Sequence, residues 1–120
     1  MSCFSTRVES DAVVLEFETA AGLNDFRNNA LRDSLYELVS NGPEPRLAVD
    51  LLKVDFLSSS GVALLVGLKR RVETRGGKIV LYRVQPIVRD LLAVMKLDRF
   101  FIIVETEPQA LASLRPVSTA

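Results

Sequence analysis

Residues 47–62 run from an apolar stretch, Leu47-Ala48-Val49-Asp50-Leu51, through a short turn into Ser58-Ser59-Ser60-Gly61 and the start of an amphipathic helix. A buried strand that passes straight into a helix re-enters its sheet through a crossover. Short right-handed crossovers of this kind join parallel strands. The same order places hydroxyls where a helix N-terminus presents unpaired N–H groups and a partial positive charge. A phosphate carried there, or phosphorylation of one of the serines, meets favourable local electrostatics. The plainer role is that Ser58 or Ser59 is the N-cap, which serine does well.

The rest of the chain repeats the pattern. Residues 5–9 and 12–17 read as two strands around a Ser10-Asp11 turn. A helix then starts at Leu23-Asn24-Asp25, with Asn24 as candidate N-cap. Phe26, Ala30, Leu31, Leu35 and Leu38 form its core face, and Ser40-Asn41-Gly42-Pro43 stops it. Residues 47–51 and 78–82 are nearly all apolar, as inner strands covered on both faces are. The helix between them runs to about Thr74 with Leu65, Leu68 and Val72 buried. Val62 and Val66 lie off that stripe and are expected to be at least partly exposed. Arg75-Gly76-Gly77 ends the helix. Pro86 suits the first position of the next one, through Leu91, Leu92 and Met95. A strand at 100–104 follows, and Thr106-Glu107-Pro108-Gln109 is a capping box opening a terminal helix with Leu111 and Leu114. The expected fold is α/β: about five strands in a mixed sheet, about four helices, two layers or nearly so.

Composition narrows the chemistry. With 15 basic and 15 acidic residues the net charge is zero, which gives no general attraction to nucleic acid or to an anionic membrane. The densest basic stretch, Lys69-Arg70-Arg71 with Arg75 and Lys78, reads as a solvated helix face first and a partner-docking stripe second. Histidine is absent, which removes the commonest neutral-pH general base and every Ser-His or Cys-His arrangement. Cys3 is the single cysteine, so neither a disulfide within the chain nor a cysteine-based zinc site is expected. No phosphate-cradling glycine loop is present, and no apolar run approaches the ~20 residues that span a bilayer. The first ten residues lack the pattern of a signal peptide. Asp50 and Asp55 are the nearest thing to paired carboxylates, and Asp55 is expected to shape or cap the turn. The expectation is a cytoplasmic protein, not an enzyme, with no cofactor and no metal.

Leu47-Ala48-Val49-Asp50-Leu51, Val54, Phe56-Leu57 and Ser59-x-Gly61 together carry a family resemblance. So do Arg75-Gly76-Gly77-Lys78, Val84-Gln85-Pro86-Ile87-Val88 and Leu97-Asp98-Arg99-Phe100-Phe101 downstream. On these residues the chain resembles the STAS domain, the family of sulphate-transporter and anti-sigma-factor-antagonist modules. The likeness spans about 5–114 and is weakest before Arg46. It implies one STAS domain over 1–120, with a core of about 5–114 and a short C-terminal tail.

Free-standing domains of this size resemble the bacterial antagonists of anti-sigma factors. That likeness implies transcription regulation by partner switching. The unphosphorylated protein binds an anti-sigma factor that is also a serine kinase, phosphorylation ends the binding, and a serine phosphatase restores it. The implied acceptor, two positions before the glycine, is Ser59, with Ser58 and Ser60 as alternatives. The implied partner-binding set is Asn24, Ser58, Ser59, Ser60, Gly61, Val62 and Val66. This chain departs from the family at two places where a kinase would dock, and each loses a carboxylate. Ser58 stands where many antagonists carry aspartate, and Ala21-Gly22-Leu23-Asn24 replaces a Gly-Glu-Leu-Asp-like segment. The alternative is an accessory STAS subunit of a larger signalling or lipid-transport complex without a phosphate switch.

Overall fold

A computed structural model of the protein describes residues 4–9, 11–18, 29–40 and 44–114. Strands β1 (Phe4–Glu9) and β2 (Ala12–Phe17) form an antiparallel hairpin, in register from Phe4↔Phe17 to Glu9↔Ala12. Asp11 makes the turn with φ 67°, a left-handed conformation that aspartate tolerates better than most residues. Helix α1 (Asn29–Ser40) leads to β3 (Arg46–Asp50), and α2 (Ser59–Thr74) leads to β4 (Lys78–Tyr82). Helix α3 (Pro86–Val94) leads to β5 (Ile102–Val104), and α4 (Glu107–Leu114) follows it. β2, β3, β4 and β5 are mutually parallel, and the sheet order is β1-β2-β3-β4-β5.

Strand order therefore equals chain order. Crossovers of one hand that always step the same way along a sheet leave their helices on one face. The main core shows this directly. Leu35 and Val39 of α1, Leu64, Leu65, Leu68 and Val72 of α2, and Val88 and Leu92 of α3 share one cluster. Leu15, Phe17, Leu47, Val49, Leu51, Ile79 and Leu81 meet them from the sheet. The alternate strand residues Ala12, Val14, Ala48, Val80 and Tyr82 point the other way and pack on Ala110 and Leu114 of α4. The two-layer expectation is thus corrected: α4 covers the second face and makes a third layer. That covering is why β3 and β4 read as almost unbroken apolar runs.

Several helix positions also differ from expectation. Ala30 is exposed, and Val39, not named for the core face, is buried together with Leu35. Phe26 and Gly42 lie outside the described residues. Met95 is the C-cap of α3 and 42% exposed, while Val88 takes the buried place beside Leu92. Residues 100 and 101 do not extend β5. Their N–H groups both donate to Leu97 O at 3.1 Å, and the two rings meet edge-to-face with centroids 5.1 Å apart. The aromatic pair anchors the turn that precedes the strand. Lys69 is not part of a solvated face: its side chain is 13% exposed, bonded to Glu73 at 2.6 Å and held over the Phe100 ring.

Other local signals hold. The Gln109 N–H donates to Thr106 Oγ1 at 3.3 Å and the Thr106 N–H to Gln109 Oε1 at 3.1 Å, a reciprocal capping box. Helix α2 ends where Gly76, at φ 76°, turns the chain and the Gly77 N–H reaches back to Val72 O.

Candidate functional site

The serines sit at the carboxyl edge of the parallel strands, where open α/β sheets place their binding surfaces. Asp50, the last residue of β3, is 1% exposed and carries the local architecture. Its Oδ1 accepts the Leu52 N–H at 3.0 Å and the Arg83 Nε–H at 3.2 Å, while Arg83 Nη2 donates to Oδ2. The carboxylate that shapes the turn is therefore Asp50; Asp55, expected in that role, is exposed. Arg83 reaches Asp50 because it leaves β4 with φ 52°. Beside it, Gln85, the residue before α3, donates from Nε2 to Leu52 O. These bonds join the β3–α2 loop to the β4–α3 loop. Tyr82 is buried beneath them and donates its hydroxyl proton to Glu107 at 2.9 Å. Burial, then that bond, raises the phenol pKa and keeps it neutral.

Between the strand and α2 the loop alternates anchors with exposed apolar groups. Val54 and Leu57 are buried, and the Val54 N–H closes a turn onto Leu51 O at 3.1 Å. Leu52 and Phe56 project outward, 46% and 44% exposed. Neither belongs to the partner-binding set expected from sequence, because an apolar run does not reveal which members a turn will rotate away from the core. Ile87, two residues after Gln85, is 56% exposed in the first turn of α3.

Ser58 is the N-cap of α2. Its backbone is extended (φ −84°, ψ 171°), its Oγ accepts the Gly61 N–H at 3.1 Å, and its carbonyl accepts the Val62 N–H at 3.0 Å. Ser59 is the first helical residue and is exposed, whereas Ser60 is half-buried and Gly61 buried. Capping thus occupies the Ser58 oxygen and leaves Ser59 facing solvent. No acidic residue lies in the first turn of α2, so nothing there would repel a phosphate. Val62 and Val66 are half-buried: partly exposed as expected, with the remainder of each packed against the main core. Asn24 lies outside the described residues, so the structure gathers Ser58 to Val66 on one turn-and-helix unit without it.

The STAS domain family model matches residues 5–110. The chain belongs to the STAS domain family. Among solved structures, this STAS domain is similar to an anti-sigma-factor antagonist STAS domain protein from Planctomyces limnophilus. The identity is 21% and the TM-score 0.81, over 92% of this chain and 97% of that one. It is also similar to an anti-sigma factor antagonist from Mycobacterium paratuberculosis, with 22% identity and a TM-score of 0.72 over 94% and 93% of the two chains. The Bacillus cell fate determinant SpoIIAA in its phosphorylated form aligns at 22% identity and a TM-score of 0.69, over 93% and 99%. At these identities the likeness establishes the fold. Among the described residues, no helix of this STAS domain is long and apolar enough to cross a membrane.

Proposed function

We propose that this STAS domain is an anti-sigma factor antagonist that acts by partner switching, with Ser59 as its phosphate acceptor. The observation that carries the reading is the division of labour between adjacent serines: Ser58 caps α2, and Ser59 stands exposed one residue later. Leu52, Phe56 and the outer edges of Val62 and Val66 supply apolar surface beside that hydroxyl. An exposed apolar rim around a polar centre suits a protein partner. A phosphate on Ser59 adds roughly −1.5 to −2 charges at neutral pH. In the free protein that charge is favoured by the N-terminus of α2, by ~0.3–1 kcal/mol. Inside a desolvated contact the same charge without a cation partner costs several kcal/mol. The sign of the switch follows: binding when unphosphorylated, release when phosphorylated.

The partner is an anti-sigma factor with serine-kinase activity, and a serine phosphatase resets the acceptor. The likeness to antagonist structures, one of them in a phosphorylated form, supports this choice. Incubation with such a kinase and ATP should add one phosphate, and peptide mass spectrometry should place it on Ser59. Phosphate on Ser58 or Ser60, or continued labelling of Ser59→Ala, would refute the assignment.

The docking edge makes a separate prediction. Val62→Lys should weaken kinase binding at least about tenfold, because a charged head then sits where the partner needs apolar contact. Its effect on stability should stay near 1 kcal/mol, since the lysine stem can keep the core contact while the ammonium reaches water. A variant that melts normally and still binds with wild-type affinity would remove Val62 from the surface.

A further inference from the structure

A second charged feature lies at the opposite end of α2. Arg70, Arg71, Thr74 and Arg75, with Ser40 at the end of α1, line a hollow of about 310 Å3. Among the described residues, no carboxylate lines it. The acids in this region are engaged elsewhere: Glu73 holds Lys69 at 2.6 Å, and Glu44 faces Arg46 at 3.6 Å. Arg75 has a partner within the chain, and the cations that face the hollow without an ion pair among the described residues are Arg70 and Arg71.

Arg70 is exposed and makes no ion pair among the described residues. Arg71 sits over the Tyr36 ring, its Cζ 4.0 Å from the centroid. Tyr36 in turn packs against Gly67 so closely that any β-carbon there would collide with the phenol. The arginine is therefore seated on a ring that itself packs closely against α2. Stacking uses the face of a guanidinium and leaves its in-plane N–H groups available. The two hydroxyls of the hollow have their protons committed, Ser40 Oγ to Tyr36 O at 2.6 Å and Thr74 Oγ1 to Arg70 O at 2.7 Å. The remaining donors are guanidinium forks, whose geometry matches phosphate oxygens.

A basic residue at a helix C-terminus complements the dipole. That accounts for one arginine, not for a second beside it in a hollow with no acid among its described lining, nor for the seat under Arg71. We infer that this hollow binds the phosphate group of a small phosphate monoester, two guanidiniums matching its two charges. At 1.5 Å per residue the length of α2 separates it from Ser59 by about 20 Å, so it is distinct from the serine site.

The test is an NMR titration of the full chain with O-phosphoserine, in parallel with inorganic phosphate and with sodium chloride at matched ionic strength. Saturable shifts at the amides of Ser40, Arg70, Arg71 and Thr74 are expected. Affinity should fall about tenfold in Arg70→Gln and vanish in Arg70→Gln/Arg71→Gln. Arg71→Lys keeps the charge without the fork and should also lose affinity. Ser59→Ala should bind like wild type. Shifts reproduced by chloride, affinity unchanged in Arg70→Gln, binding lost in Ser59→Ala, or a response to inorganic phosphate without one to the monoester would each overturn the assignment.

Discussion

Gly77→Ala should lower the stability of this protein by about 3 kcal/mol, the upper part of the range for overpacking a tight site. A β-carbon at Gly77 would fall inside the van der Waals shell of the Pro45 carbonyl oxygen and 2.9 Å from Pro45 C. That oxygen is already committed, accepting the Lys78 N–H at 2.9 Å just where β3 and β4 come into register at Arg46↔Lys78. The obstacle is backbone, and both strands pass through the middle of the sheet, so neither can move aside without loosening the ladder. In a domain of this size the loss corresponds to a fall in Tm of about 10 °C. Urea unfolding should show a lower midpoint with an unchanged m-value, the mark of lost native stability. Gly67→Ala is the internal control. Its β-carbon would meet the outer end of the Tyr36 side chain, which can swing away, so its cost should be smaller. If Gly77→Ala melts with the wild type, the close approach of Pro45 to Gly77 is wrong.

The fold was legible in the sequence wherever one local rule acted without competition. Thr106 and Gln109 could be paired from their spacing alone, and Pro86 could be placed in the first turn of α3, because capping is decided within four residues. The apolar runs at 47–51 and 78–82 were readable as inner strands. Their division between the two faces, with Leu47 and Val49 toward α2 and Ala48 toward α4, follows from strand geometry once the strands are known. What sequence could not reveal was the face taken by α4. The chain direction fixes the side of each crossover helix but not that of a helix after the last strand. Met95 and Phe100-Phe101 were misassigned because apolar character does not distinguish a helix face, a cap and a turn anchor.

The site divides in the same way. That the serines open a helix was evident. Which of them caps it was not, since both are good N-caps and only the extended backbone of Ser58 separates them. The Asp50–Arg83 pair joins residues 33 positions apart in sequence, and no local pattern announces it. Leu52 and Phe56 were hidden inside an apolar run whose turn, closed by Asp50 and Leu51 O, swings them outward.

The central claim is that charge on Ser59 gates a protein contact, and calorimetric titration of three proteins against the partner kinase tests it most directly. Wild type and Ser59→Ala should bind with similar affinity. The alanine variant loses only a hydroxyl that Ser58 leaves idle in capping, and Ser58 still holds the Gly61 N–H. Ser59→Asp should bind about a hundredfold more weakly, the scale of a buried charge without a partner. All three should remain folded, because an aspartate in the first turn is favoured by the helix dipole. The mimic carries about one charge where phosphate carries nearly two, so the phosphorylated protein should bind more weakly still. Graded affinities in the order Ser59→Ala and wild type, then Ser59→Asp, then phosphorylated protein are the predicted result. Equal affinities across the series would contradict a charge-gated switch at Ser59.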